Sequence, residues 1–336
     1  MNTHYRNIAV VGGGAIGGLI AARLARAGAT VGVLARGAQL DAIRRNGLTV
    51  IDGDTRETVA LEATDRASEL GVQDLLIVCL KGQALTAAAA SLAPLVGPRT
   101  HIVSAMNGVP WWFLHDFGGR HANGRLESVD PGGVVSSALP PAQAFGCVVH
   151  LSSSIAAPGV ARKGNGNRLI VGSASAGETA HAQAIAAMLA QADFDATPSD
   201  QIRADIWMKL WGNMTINPIS ALTRSTADVI LDDPLSAALV RSVMEEARAV
   251  GRQFGLDTTM TFEERNAITR KLGAFRTSML QDVEAGRSLE VEALLGAPYE
   301  LAQRTGVDAP SLGMLYGLAR QLDANLEAAR RRAAHA

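Results

Sequence analysis

The sequence predicts two domains, an α/β domain over residues 1–198 followed by an all-α domain over residues 199–336, and three observations carry that division. The chain opens on a strand, a glycine turn and a helix in immediate succession. Near-continuous apolar runs of strand length then alternate with helical patterns as far as Pro198. After Ser199 the strand signals stop, and apolar residues recur at helical spacing almost to the end.

Residues 8–11 read as a short apolar strand. Gly12, Gly14 and Gly17 follow as Gly-x-Gly-x-x-Gly and open a helix over residues 19–27. Gly28 closes that helix at a position suited to a left-handed cap, and residues 30–34 supply the next strand. This is the opening of a Rossmann-type dinucleotide-binding domain. Gly12 permits the tight turn, Gly14 leaves room for a pyrophosphate, Gly17 lets helix and strand pack closely, and the N–H groups at the helix start hold the phosphates. An NAD-selective site would place Asp or Glu after the second strand, where this chain has Ala35-Arg36-Gly37. A guanidinium there suits a 2'-phosphate, so the expected cofactor is NADP(H).

Residues 48–51 and 58–61 read as strands, and residues 74–80 as a buried parallel strand ending in Lys81. Residues 101–105 form another, ending in Met106-Asn107-Gly108. Ligands of open α/β sheets bind outside the carboxyl ends of strands, which places Lys81 and Asn107 near cofactor or substrate. Trp111-Trp112-Phe113 is read as packing under the following loop rather than walling the site. Residues 118–141 turn to Gly, Pro, Ser and charge and read as a long excursion with no legible role. Residues 144–151, 159–162 and 169–172 read as antiparallel strands closing one side of the sheet, and residues 178–192 as a helix.

Ser199 and Asp200 are credible caps for the helix that carries Lys209. Lys209 and Asn213 lie four apart on one face among Ile206, Trp207, Leu210, Trp211 and Met214. Asn217 comes at the next such step, where Pro218 is expected to interrupt the helix. The residues alone leave two readings of Lys209 open. Its stem can lie on tryptophan with the ammonium in water, or the ammonium can be a catalytic acid brought toward proton-transfer range by desolvation. Further helices are read over residues 234–254, 263–271, 274–285, 292–304 and 310–329, broken by Gly255, Gly286 and Gly306. Ser278, Asp282, Glu290 and Glu292 surround the glycine-ended third of these.

Composition excludes several classes. With 336 residues, 48% hydrophobic and 19% charged, the chain can bury a large core. A net charge of -1 offers no field of one sign for nucleic acid or a membrane surface. No apolar run approaches the roughly 20 residues of a membrane helix. The first residues lack the apolar core of a signal peptide, and a cytoplasmic location is expected by default. Cys79 and Cys147 lie in apolar strands and read as buried thiols. The seven histidines show no paired spacing, so no metal site is expected.

Across both domains the chain resembles the ketopantoate reductases (2-dehydropantoate 2-reductases). The resemblance rests on Gly12-x-Gly14-x-x-Gly17, Arg36, Lys81, Asn107-Gly108, Lys209-Leu210-x-x-Asn213-x-x-x-Asn217-Pro218, and Ser278-x-x-x-Asp282-x-x-x-Gly286-Arg287-x-x-Glu290. It implies a Rossmann domain binding NADPH and an all-α domain of the 6-phosphogluconate-dehydrogenase C-terminal type, with a small 2-oxo acid in the cleft between. It further implies that Lys209 is the general acid, coupled to Glu290. Asn107, Asn213, Asn217 and Ser278 would contact substrate, and Gly12, Gly14, Gly17, Arg36, Lys81 and in part Asn107 would hold the cofactor. The expected reaction is reduction of 2-dehydropantoate to (R)-pantoate, on the route to pantothenate and coenzyme A. The alternatives are another branched 2-oxo acid on the same scaffold, or a dinucleotide sensor without catalysis. The apolar surface of the helical domain is compatible with a homodimer.

Overall fold

The computed structural model describes residues 5–118 and 123–335, with side chains as far as 333. In chain order its elements are β1 Asn7–Val11, α1 Ala15–Arg26, β2 Thr30–Leu34, α2 Gly37–Asn46, β3 Leu48–Asp52, β4 Thr55–Val59, β5 Glu62–Thr64, α3 Ala67–Leu70, β6 Leu75–Val78, α4 Gly82–Leu92, β7 His101–Ser104, α5 Val134–Ala138, β8 Ala144–Ala157, β9 Val160–Ser173, α6 Thr179–Gln191 and β10 Asp195–Pro198. The helices that follow are α7 Ile202–Thr223, α8 Ala227–Asp232, α9 Pro234–Gln253, α10 Phe262–Arg270, α11 Ser278–Glu284, α12 Ala297–Thr305 and α13 Pro310–His335.

Two contact units result. The first comprises Met1–Met106, Pro110–Arg125 and Asp130–Ile202, and the second Asn107–Val109, Leu126–Val129 and Arg203–Ala336. In the first, the described strands form one sheet in the order β4-β3-β9-β8-β7-β6-β1-β2-β5, with β10 paired to β9. Strands β5, β2, β1, β6, β7 and β8 run parallel, as crossover helices require. Their apolar residues are buried on both faces. Ile8, Val10, Ile77 and Val103 form one core with Leu19, Ile20 and Leu24 of α1 and Ile185 and Leu189 of α6.

Two expectations need correction here. The runs at 159–162 and 169–172 belong to one strand, β9, which stays extended through polar Lys163–Arg168 because β8 pairs with it antiparallel along that length. The β8–β9 pair does not close a side of the sheet, since β9 also pairs with β3 and the β3–β4 hairpin lies beyond it. Within the 118–141 excursion a 3-10 turn at Pro131–Gly133 leads into α5; residues 119–122 lie outside the described residues. There Asp130 is fully buried, and its Oδ1 accepts from the Val135 N–H at 2.7 Å.

In the second unit α8, α12 and α13 all pack on α9. Trp211 of α7 donates its indole N–H to the Met244 carbonyl of α9 at 2.7 Å, so a buried aromatic ties the two long helices. Pro218 does not end α7, which continues to Thr223. Pro218 forfeits the N–H that would reach the Met214 carbonyl and its ring crowds that carbonyl, but buried Ile216, Ile219 and Ala221 hold the last turns in place.

Candidate functional site

The glycine turn between β1 and α1 carries three different constraints. Gly12 has φ +100°, and a Cβ there would lie 3.1 Å from the Cys79 carbonyl oxygen. A Cβ on Gly17 would stand 2.0 Å from the Gly12 carbonyl oxygen, so no side chain fits. At Gly14 a Cβ would meet nothing within 4 Å, and this residue caps α1 without a side chain to occupy its first N–H groups. Space beside backbone donors at a helix start is what a pyrophosphate needs. The residues present fit a dinucleotide.

The surroundings hold that turn in place. The Gln39 amide donates to the Gly13 carbonyl and accepts from the Gly159 N–H at 3.0 Å, joining the turn to the β8–β9 hairpin. Arg36 is exposed directly ahead of α2 and beyond β2. Lys81, half-buried, occupies the corresponding place ahead of α4, beyond β6. Trp111, Trp112 and Phe113 are buried; the Trp111 indole donates to the Leu139 carbonyl at 3.0 Å and the Trp112 indole to Ser104 Oγ at 2.9 Å. They are core.

In the second unit three stretches far apart in sequence meet. Lys209 Nζ donates to Asn107 Oδ1 at 2.8 Å, and Asn107 Nδ2 donates to Glu290 Oε2 at 3.2 Å. Chemistry fixes the orientation of the amide, since an ammonium can only donate and a carboxylate can only accept. Asn107 therefore bridges a cation and an anion, all three half-buried.

Local backbone explains how Asn107 arrives there. The Val109 N–H donates to the Ala293 carbonyl at 2.9 Å, and Gly108 at φ +79° brings the main chain so close that a Cβ would lie 2.4 Å from the same oxygen. Asn-Gly is needed here for close approach rather than for a simple turn. Ala293 lies in the π-helical turn Glu292–Gly296, which begins two residues after Glu290. Such turns re-aim side chains. Glu290 and Glu292 diverge accordingly, with Glu292 Oε2 accepting from the Tyr316 hydroxyl at 2.7 Å.

Other expected residues fall around this bridge. Asn213 is half-buried one turn beyond Lys209 on the same helix, and Asn217 is buried. Ser278 is exposed as the first residue of α11, while neighbouring Thr277 is buried and caps that helix through the Leu280 N–H. Asp282 accepts from Arg287 at 2.8 Å, which stabilises the turn that follows α11.

Sequence reasoning missed Arg265. Its guanidinium lies against Gly212 of α7, where a Cβ would fall 1.8 Å from Nη2, and Nη1 donates to Thr269 Oγ1 at 3.0 Å. Gly212 is three residues from Lys209 and next to Asn213, so the guanidinium borders the polar stripe. Burial lowers the pKa of this arginine, and no carboxylate among the described residues acts to raise it. A glycine in the middle of an apolar helix was the one available sign of a close approach.

Comparison with known proteins gives a consistent result. Residues 8–110 match the family model described as "Ketopantoate reductase PanE/ApbA", and residues 201–323 match "Ketopantoate reductase PanE/ApbA C terminal". A 2-dehydropantoate 2-reductase of Mesorhizobium japonicum is 40% identical over 316 residues, covering 94% of this chain and 97% of the relative. A Ralstonia solanacearum MolK2 protein, provisionally assigned as a ketopantoate reductase, superposes with a TM-score of 0.90 at 46% identity over 94% of this chain and 97% of that one. A Geobacter metallireducens 2-dehydropantoate 2-reductase does so with a TM-score of 0.81 at 28% identity, over 94% and 99%.

Proposed function

Because the chain belongs to the ketopantoate reductase family of oxidoreductases, we propose that it reduces 2-dehydropantoate to (R)-pantoate with NADPH, using Lys209 as general acid. The observation that carries this reading is the Lys209–Asn107–Glu290 bridge. Bound NADPH supplies the hydride. As charge develops on the former carbonyl oxygen, the Lys209 ammonium stabilises it and then donates its proton there. Glu290, acting through the Asn107 amide, keeps a negative group near the ammonium. Asn213 and Asn217 orient the substrate, and Ser278 reaches its carboxylate or hydroxyl.

Cofactor choice rests on Arg36, whose exposed guanidinium beyond β2 can pair with a 2'-phosphate. Gly12, Gly14 and Gly17 cradle the pyrophosphate, and Lys81 and Asn107 contribute from the ends of β6 and β7. The product would feed pantothenate and coenzyme A synthesis.

A second reading keeps the chemistry and changes the acid. Arg265 supports it, as a buried cation beside the polar stripe with no carboxylate raising its pKa among the described residues. A guanidinium so placed can take a substrate carboxylate, and a longer or dianionic 2-oxo acid would use it fully. A sensor has no use for a proton donor bridged to a carboxylate. The deciding experiment follows NADPH and NADH oxidation with 2-dehydropantoate and a panel of branched and dicarboxylic 2-oxo acids, in the wild type, Lys209→Ala and Arg36→Asp. Turnover of 2-dehydropantoate that Lys209→Ala abolishes, with Arg36→Asp weakening NADPH far more than NADH, is expected. Cofactor binding without turnover of any acid would leave the sensor.

A further inference from the structure

At the opposite end of the sheet from the glycine turn, two histidines that the sequence leaves far apart come together. His101 is the first residue of β7 and is half-buried; Glu178 immediately precedes α6, and His181 lies in its first turn. The imidazole centroids of His101 and His181 are 4.3 Å apart. One potential ligand atom from each of His101, Glu178 and His181 falls within 4.8 Å of the other two. The expectation that the histidines are scattered fails here, because sheet order rather than sequence spacing makes the pairing.

We propose that His101, Glu178 and His181 form a binding site for a divalent transition metal of the Zn²⁺ class. Two imidazoles and one carboxylate are a borderline-soft donor set that suits Zn²⁺ with water as the fourth ligand, at about 2.0–2.2 Å from each protein atom. Ligand atoms in such a tetrahedron stand about 3.3 Å apart, so side-chain rotations of an ångström or so complete the site. His181 is exposed and Glu178 half-buried at a helix start, and both can make that adjustment.

Neighbouring contacts are those of an outer shell. Tyr5 Oη and His101 Nδ1 are 2.8 Å apart, which occupies Nδ1 and leaves Nε2 to face a metal; with metal bound, Nδ1–H donates to the Tyr5 oxygen. The edge of Phe145 packs on the same ring at 5.2 Å between centroids and fixes its plane. His181 Nδ1 and Glu178 Oε2 share a hydrogen bond of 2.5 Å. The metal replaces the proton between them, and that proton leaves to solvent. The helix start opposes a cation, and the Glu178 carboxylate offsets this.

The site is remote from the dinucleotide turn, which lies at the carboxyl ends of the strands, so its role is structural. It clips the segment before β1, the start of β7 and the start of α6. The experiment uses the metal-free full-length protein. Zn²⁺ is titrated calorimetrically and Co²⁺ by its visible absorption, in the wild type, His181→Ala and Glu178→Gln, with circular dichroism as the check on folding. One equivalent bound, a four-coordinate Co²⁺ spectrum, and at least tenfold weaker binding in each folded variant are expected. No stoichiometric binding, a six-coordinate spectrum, or affinity unchanged in both variants would overturn the site.

Discussion

Replacing Asn107 with alanine tests the bridge without touching either charge. The change removes the acceptor at 2.8 Å from Lys209 Nζ and the donor at 3.2 Å from Glu290 Oε2. Hydrogen bonds to charged groups contribute about 1.5–3 kcal/mol each, and the longer one belongs at the low end of that range. All three residues are half-buried, so water replaces part of the loss, and a net effect of about 2–3 kcal/mol on the transition state is expected. At about 1.36 kcal/mol per decade, kcat/KM falls roughly 30- to 150-fold. The assay is steady-state NADPH oxidation, with thermal melting in parallel. Asn107→Ala should melt several degrees below the wild type, because the same two bonds also hold the folded chain, yet stay folded at assay temperature, since Val109 and Gly108 still dock on Ala293. A kcat/KM within threefold of wild type in a folded variant would refute the claim that the amide couples acid and carboxylate.

Gly14→Ala should leave the melting temperature unchanged, since its Cβ meets no protein atom within 4 Å, yet raise the NADPH KM at least tenfold. Gly17→Ala should lower the melting temperature markedly, its Cβ being 2.0 Å from a carbonyl oxygen, so calorimetry and kinetics separate the two glycines. Arg265→Gln should raise the substrate KM about tenfold or more with little change in kcat; an unchanged KM for every acid turned over would remove this arginine from the site. Burial acts to raise the pKa of Glu300, but hydrogen bonds from the Ser128 hydroxyl, the Ser128 and Glu127 N–H groups and Arg304 outweigh it and hold the pKa below the ordinary 4.5. A carboxyl depressed on folding stabilises at pH above its unfolded pKa, and the contribution is lost as pH falls through the folded value. Urea denaturation should therefore find Glu300→Gln less stable than wild type at pH 7, with the gap closing below about pH 4.5.

Both domain types and the helical face shared by Lys209 and Asn213 could be read from the sequence, because strand–glycine–helix succession and helical spacing are local signals, whereas Glu290 was singled out only by the family resemblance. What stayed hidden depends on distant partners. Pro218 looks like a helix end until the buried flanks of α7 are known to hold it, and polar Lys163–Arg168 looks like a loop until β8 pairs with it. Arg265 is one more charged residue on a polar helix until Gly212 gives it a seat. His101 and His181 become neighbours only through the placing of β7 and α6. Asn107 lies between these cases: its place at a strand end was legible, whereas the backbone docking on Ala293 that aims its amide was not.

That docking has an evolutionary consequence. Asn107, Lys209 and Glu290 all belong to the second contact unit, although Asn107 comes only three residues after β7. The Lys209–Asn107–Glu290 bridge is thus assembled within one contact unit. On the roles proposed for Arg36 and Lys209, a lineage could exchange one nicotinamide reductant for the other through changes near Arg36 without relearning how to protonate its product.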